Sequence, residues 1–278
     1  LSTNSNPTTL VANDISGFSY THSDLLMNTK YYWKVVATDP SGSNTSSIMN
    51  FTVKTVPEWS YSTGNDVLAV AFSSDGEYMV VGSKDNKVYL FSKDSSTPLW
   101  SYTTGNDVYS VAISGDGEYI VAGSDDDYVY LYNRNSSSPI WKYDTSGNVN
   151  SVDISADGNY LVAGSKDDVV YFFSKGSSTP LWSYETNSDV ISVSISADAK
   201  YIVAGSRNGK VYFFGKESST PLWTYTTSDY VHSVAISADG EYVIVGTDDD
   251  MNGDVVYFFD KDSSTPLWIN DDVPEDMV

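Results

Sequence analysis

Cysteine is absent from all 278 residues, which excludes disulfides, thiol nucleophiles and cysteine-ligated zinc without locating the protein, since secreted chains often lack cysteine too. Histidine is nearly absent: His22 and His232 leave little material for a histidine metal cluster or a Ser-His-Asp triad. Basic residues are scarce, with 15 Lys+Arg against 37 Asp+Glu and a formal net charge of −22. Such a field repels nucleic-acid phosphates and anionic lipid head groups and keeps the chain soluble, so neither nucleic acid nor a membrane surface is an expected partner. No apolar run approaches the roughly 20 residues of a membrane-spanning helix, and the first residues lack the pattern of a signal peptide. Amphipathic helical periodicity is missing, as are the GxSxG, HExxH, phosphate-loop and dinucleotide-glycine patterns. No catalytic residue is assigned. Carboxylates are plentiful enough for paired-acid glycoside chemistry, but nothing singles out a pair.

What the chain does have is aromatic residues and a period. Its 22 Tyr and 7 Trp favour strands over helices. Trp59, Trp100, Trp141, Trp182 and Trp223 recur every 41 residues, and Trp268 follows after 45. The phrase SSTPLW ends at Trp100, Trp182, Trp223 and Trp268, with SSSPIW ending at Trp141. A fixed period near 40 marks a repeat architecture. Each period holds four strand-like segments, as in VLAVAF, MVVGS, VYLF and LWSY of the first copy. Asp-Gly pairs at 75/76, 116/117, 157/158 and 239/240 mark tight turns, where glycine supplies a positive φ cheaply. The fourth copy has Asp198-Ala199 instead, so strain or a changed turn is expected there.

Four short antiparallel strands with no helix to cover either face must pack face to face around an axis, which predicts an all-β propeller of five four-stranded blades. SVAISADGEYVIVG resembles the first half of a WD40 repeat, and PLWSYTTG resembles the tryptophan-bearing end of a quinoprotein-type (PQQ-like) repeat. The Gly-His and Trp-Asp signatures of WD40 are missing, with Phe91, Tyr132, Phe173, Phe214 and Phe259 where Trp-Asp would stand. Each repeated tryptophan is expected to begin an outermost strand together with its preceding leucine, and to bury one face between neighbouring blades. EWSY, residues 58–61, reads as an extra outer strand. A closed ring is preferred, because an open stack leaves two unpaired ends; the alternative is that further blades complete it.

Residues 1–55 differ in kind from the propeller of 56–278. The stretch LLMNTKYYWKVVATDPSGSNTSSIMNFTVKT resembles the last strands of a fibronectin type III domain. Its alternation places Tyr31, Trp33, Val35 and Ala37 on one face, and the first strands of such a sandwich are not in the sequence, so the segment reads as partial. Sequons at Asn44, Asn50 and Asn135 agree with an extracellular setting.

Two candidate sites follow. In TDDDMNGDVVY, residues 247–257, Asp248, Asp250, Asn252 and Asp254 alternate as oxygen ligands around Gly253, like the first half of a calcium loop, although Phe259 stands where a twelfth-position Glu would close it. The second comes from comparing the five copies: SADGEY and SKDSSTP barely change, whereas the loops before the first strand and between the second and third do. The variable face includes Leu68, Tyr109, Asn150, Ile191 and His232, each one residue into the innermost strand. In WD40-like propellers the corresponding face is the usual contact surface. The expected function is therefore a non-enzymatic extracellular or cell-surface scaffold for a protein or glycan. Self-assembly into an oligomer or filament by strand addition is a related reading. The rival is a quinoprotein-like oxidoreductase or a glycan-cleaving propeller.

Overall fold

The computed structural model describes residues 29–33, 36–39, 42–45, 49–53, 59–248 and 255–270. The chain divides into two compact units, Leu1–Ser60 and Tyr61–Val278. In the first, β1 (Thr29–Trp33) pairs antiparallel with β4 (Met49–Val53), and β2 (Val36–Asp39) pairs with β3 (Gly42–Thr45). Val35 lies outside the described residues, as do the side chains of Tyr31, Trp33 and Ala37, so the one-faced pattern expected of them is a matter of sequence.

The second unit is five four-stranded antiparallel sheets, each a meander in chain order. Blade 1 comprises β5 (Val67–Phe72), β6 (Tyr78–Ser83), β7 (Lys87–Ser92) and β8 (Trp100–Thr103). Blade 2 has β9 (Val108–Ile113), β10 (Tyr119–Ser124), β11 (Tyr128–Asn133) and β12 (Trp141–Asp144). Blade 3 has β13 (Val149–Ile154), β14 (Tyr160–Ser165), β15 (Val169–Ser174) and β16 (Trp182–Glu185). Blade 4 has β17 (Val190–Ile195), β18 (Tyr201–Ser206), β19 (Lys210–Gly215) and β20 (Trp223–Thr226). Blade 5 has β21 (Tyr230–Ile236), β22 (Tyr242–Asp248), β23 (Val256–Asp260) and β24 (Trp268–Asn270). The described residues contain no helix. Residues 59–61 do not pair as a strand, contrary to the expectation for EWSY; Tyr61 instead sets its ring edge-on against Tyr89 and Phe91.

The first two strands of each blade meet at a turn built on a serine and an aspartate, followed by glycine in blades 1, 2, 3 and 5 and by Ala199 in blade 4. Ser73 Oγ donates to Asp75 Oδ1 at 2.6 Å, Asp75 Oδ1 accepts the Glu77 amide, and the Tyr78 amide donates back to Ser73 Oγ. The same triangle closes at Ser196-Asp198-Tyr201, where Ala199 adopts φ 60° beside 67° to 75° for Gly76, Gly117, Gly158 and Gly240. The expected change of turn does not occur. Ala199 keeps the shape, accepts the left-handed conformation at a cost of about 1–2 kcal/mol, and offsets part of it by burying its methyl in the seam between blades 3 and 4.

That seam is one of four alike. The second and third strands of one blade present valine, leucine or phenylalanine to the inner strand of the next, as Val162, Val170 and Phe172 do to Val190, Val193 and Ile195. At the rim, the tryptophan of each outer strand lies over the third strand of the following blade: Trp100 on Tyr132, Trp141 on Phe173, Trp182 on Phe214 and Trp223 on Phe259, with ring centroids 5.2 to 5.4 Å apart. Each indole N–H also donates across the seam to a backbone carbonyl, of Arg134, Lys175, Lys216 and Lys261 respectively, at 2.7 to 2.9 Å. The leucines before the tryptophans are exposed, Leu99, Leu181, Leu222 and Leu267 among them. The strand therefore starts at the tryptophan, and the leucine's amide ties the loop to the third strand, as Leu99 does to Leu90.

The ring does not close. Inner strands pack consecutively from β5 to β21, but β21 and β5 do not pack on each other in the same way. Val67, Val70 and Phe72 are 50 %, 63 % and 61 % exposed, whereas their equivalents Val149, Val152 and Ile154 are 0 %, 5 % and 6 %. Each seam repeats the same packing, and the four seams leave blades 1 and 5 without one between them.

Two stability predictions follow. Trp182→Ala should lower unfolding free energy by about 3–5 kcal/mol in urea titrations, and Trp268→Ala by about 1 or less, since among the described residues the ring contact of Trp268 is to its own blade's Phe258 and it is 47 % exposed; equal losses would contradict the seam. Tyr132 buries its hydroxyl without a hydrogen-bond partner where four other blades have phenylalanine, so Tyr132→Phe should raise stability by about 1–2 kcal/mol in the same assay.

Candidate partner-binding face

Every inner strand carries a bulge, and the bulge falls on the five candidate residues. Val67 opposes Ser83 while Ala69 opposes Gly82, which leaves Leu68 unpaired. Tyr109, Asn150, Ile191 and His232 are skipped in the same way. A bulged residue is released from the ladder and its side chain can be re-aimed, so the sequence can vary there without breaking the sheet. Because the inner strands pack in succession, the five residues follow one another along the inner edge, with Leu68 and His232 at opposite ends of the arc.

They are not equally available. Leu68, Tyr109, Asn150 and Ile191 are half-buried and His232 is exposed. Asn150 is committed to structure, since its Nδ2 donates to the Val190 carbonyl of the next blade at 2.9 Å. The Tyr109 ring has the Lys166 ammonium of blade 3 at 5.9 Å. Burial, with the Asp125 and Asp107 carboxylates beside it, pushes the Tyr109 phenol up.

The two variable loops meet on this face. The Lys84 amide donates to the Asp66 carbonyl, and Asp125, Lys166 and Arg207 repeat the bond to Asp107, Asn148 and Asp189. The turn between second and third strands needs a positive φ, supplied by Asn86, Asp127, Asp168 and Gly209, which explains the Asn, Asp or Gly there. In three blades a tyrosine of the third strand locks the turn: Tyr89, Tyr130 and Tyr171 donate to Asp85, Asp126 and Asp167 at 2.5 to 2.6 Å. Above this common frame the charges differ. Lys84 pairs with Asp66 at 3.1 Å and Arg207 with Asp189 at 3.4 Å. Asp125 accepts from Asn106 Nδ2 at 2.9 Å, while its other oxygen is buried without a hydrogen-bond partner. Burial pushes that carboxyl up, with Lys166 acting the other way.

Of the proposed calcium ligands, Asp248 ends β22 opposite Tyr230. Asp250, Asn252 and Asp254 lie outside the described residues. Among the described residues no three His, Cys, Asp or Glu side chains cluster as a metal site, and no helix is long and apolar enough to cross a membrane.

One polar residue that sequence reasoning passed over is Asp153, on the inner strand of blade 3 where blades 1, 2 and 5 have alanine. Its Oδ2 accepts from the Ile195 amide at 2.9 Å and from Ser194 Oγ at 3.1 Å across the seam, and its Oδ1 from the Ile154 amide. The departure from alanine was the available signal. Burial pushes its carboxyl up, against the pull of those donors. A raised folded-state pKa favours folding below the ordinary carboxylate value, and that contribution is lost as pH rises through the raised one. The melting temperature of Asp153→Asn, minus that of the parent, should therefore increase as pH rises from below the ordinary carboxylate value to neutrality; a difference independent of pH would show an ordinary carboxyl.

Comparison with known families agrees with this architecture. Residues 84–199 match the PQQ-type family described as outer membrane protein assembly factor BamB. Residues 55–92 and 219–252 match the family described as WD domain, G-beta repeat. No curated protein matches the chain. The chain is a β-propeller of five blades whose repeats are similar to both families.

Proposed function

We propose that the chain is a non-enzymatic binding scaffold at the cell surface, presenting the inner-edge face of its propeller to a protein partner, with a surface glycan as the other ligand class the sequence reading allows. The observation that carries this reading is the bulge: at one equivalent point of an otherwise uniform frame, five blades hold Leu68, Tyr109, Asn150, Ile191 and His232. Packing asks the same of every blade, so outside Asn150, which bonds across its seam, the difference at that point is free to serve recognition. The similarity to WD40 repeats supports a protein-interaction role for the propeller.

The chemistry of the face supports recognition. Tyr109 beside the Lys166 ammonium offers an aromatic ring and a hydrogen-bond donor within one neighbourhood, and tyrosine is among the residues enriched at protein interfaces. Asn135, the sequon in the described propeller, is exposed in the loop after β11, and that loop joins the third and fourth strands, away from the variable loops. A glycan there would leave the candidate face clear, which supports the extracellular reading.

The test is binding of the chain to a panel of surface proteins and glycans, repeated with Tyr109→Ala and His232→Ala. Each variant should weaken a specific ligand by about tenfold, some 1.4 kcal/mol, with an unchanged melting temperature. Turnover of a polysaccharide by the parent, or a quinone-like absorbance after reconstitution, would establish the enzyme instead.

A further inference from the structure

The two ends of the arc are the two halves of one seam. Inside the chain, each seam joins a trailing face, from the blade before, to a leading face, from the blade after. Blade 1 leaves a leading face uncovered and blade 5 a trailing face. On the leading face Val67, Val70 and Phe72 are exposed, and they hold the places of Val231, Val234 and Ile236 in the seam between blades 4 and 5. On the trailing face Ile244 is exposed and Phe258 half-buried, in the places of Val203 and Phe213 in that same seam.

The polar features of the seam are matched as well. A chain of backbone bonds runs from blade to blade, from the Ser74 amide to the Gly115 carbonyl, then Gly115 to Ala156, Ala156 to Ala197 and Ala197 to Ala238. Its two ends are the Ser74 carbonyl and the Ala238 amide. Three seams also bond a serine hydroxyl to a valine amide: Ser110 accepts from Val152, Ser151 from Val193 and Ser192 from Val234. Ser233 is the next serine of that series and is exposed, and Val70 has the place of the next valine.

Glycine gives the sharpest comparison. A Cβ built on Gly123, Gly164 or Gly205 would stand 3.2, 3.1 or 3.0 Å from the Cβ of Val149, Val190 or Val231 in the following blade. One built on Gly246 meets nothing within 4 Å. Gly246 has kept the close-approach residue, and its counterpart on the other end of the arc is Val67.

We propose that blade 5 of one chain docks on blade 1 of a second copy, head to tail, making a fifth seam of the kind the chain already makes four times. Continuity points to the occupant: the apolar positions, serine, backbone bonds and glycine are all those of the existing seam. At the rim, Tyr61 already covers Tyr89 and Phe91, as Tyr102 covers Tyr130 and Tyr132 one seam further on. The outer strand of blade 5 has Asn270 where the others have tyrosine, so the incoming blade brings no ring to compete for that place. Such a contact is heterologous, with a donor end and an acceptor end, and each added copy exposes a new end.

Because the chain lacks cysteine, the contact can be trapped. Val67→Cys and Gly246→Cys, mixed and oxidised with glutathione, should give a disulfide dimer on non-reducing gels well above that from either variant alone, since the seam sets these Cβ atoms near bonding distance. Both positions face open space, and circular dichroism checks that the variants fold. The double variant should form interchain ladders. In sedimentation velocity the parent should associate with rising concentration, and Phe72→Asp should abolish this. The proposal is overturned if the mixture crosslinks no more than the single variants, or if the double variant ends as a monomer closed by its own disulfide, which would mean that the arc shuts on itself. Ligand binding at the inner-edge face uses different residues, so failure of either idea leaves the other standing.

Discussion

A four-stranded sheet with two apolar faces is stable only between two others, and nearly everything in the propeller answers to that constraint. The inner strand supplies valine and isoleucine to one side. The second and third strands fill the other side with aliphatic and aromatic side chains, buried to within a few per cent in blades 2 to 4. Burial of that kind stabilises by about 25 cal/mol for each Å² removed from water, and it accrues once per seam. The repeated tryptophan is the wedge at the wide end, where blades diverge and smaller side chains would leave a void. Its indole N–H reaches a carbonyl of the next blade, which fixes the angle as well as filling the space.

The same constraint sorts constant positions from variable ones. SSTP is constant because Ser95 Oγ accepts the Thr97 amide in a tight turn, repeated at Ser177, Ser218 and Ser263. Pro then delivers the chain, extended, to the outer strand. Ser-Asp-Gly is constant because its side chains satisfy amides that the hairpin would leave unpaired. Hydrogen bonding from Ser73 and Ser237 holds the Asp75 and Asp239 carboxyls below the usual range, and the Lys200 ammonium, with its amide, draws Asp198 down to about 2. Those carboxylates support the fold above the ordinary carboxylate pKa and cease to as pH falls through their lowered values. The bulged residue of the inner strand carries no such duty in four of the five blades, Asn150 being the exception, and it is where the copies diverge.

Much of this was legible in the sequence because it is local or periodic. The 41-residue spacing located the blades, the Asp-Gly pairs located the hairpins, and the copies laid over one another showed four strand-like segments in each. Three features were not legible, each for a physical reason. The exposure of Leu99 and its equivalents depends on a backbone bond to the third strand, which no hydropathy pattern encodes. The bulge was hidden because one extra residue in a strand leaves composition untouched; only the mismatch between the invariant Val70-type and Val67-type positions, three apart rather than two, hints at it. Closure was misjudged because the rotation per blade is set by side-chain volumes across a whole seam, and the preference for a closed ring weighed the cost of free ends without knowing that angle.

If seams are the source of stability, protection should fall toward the ends of the arc. Hydrogen–deuterium exchange at low protein concentration measures this strand by strand. Amides of β10, β14 and β18, whose blades have a neighbour on each side, should exchange more slowly than those of β6 and β22, whose blades have one. Equal protection in all five second strands would contradict the account, because it would mean that every blade already has two neighbours within a single chain.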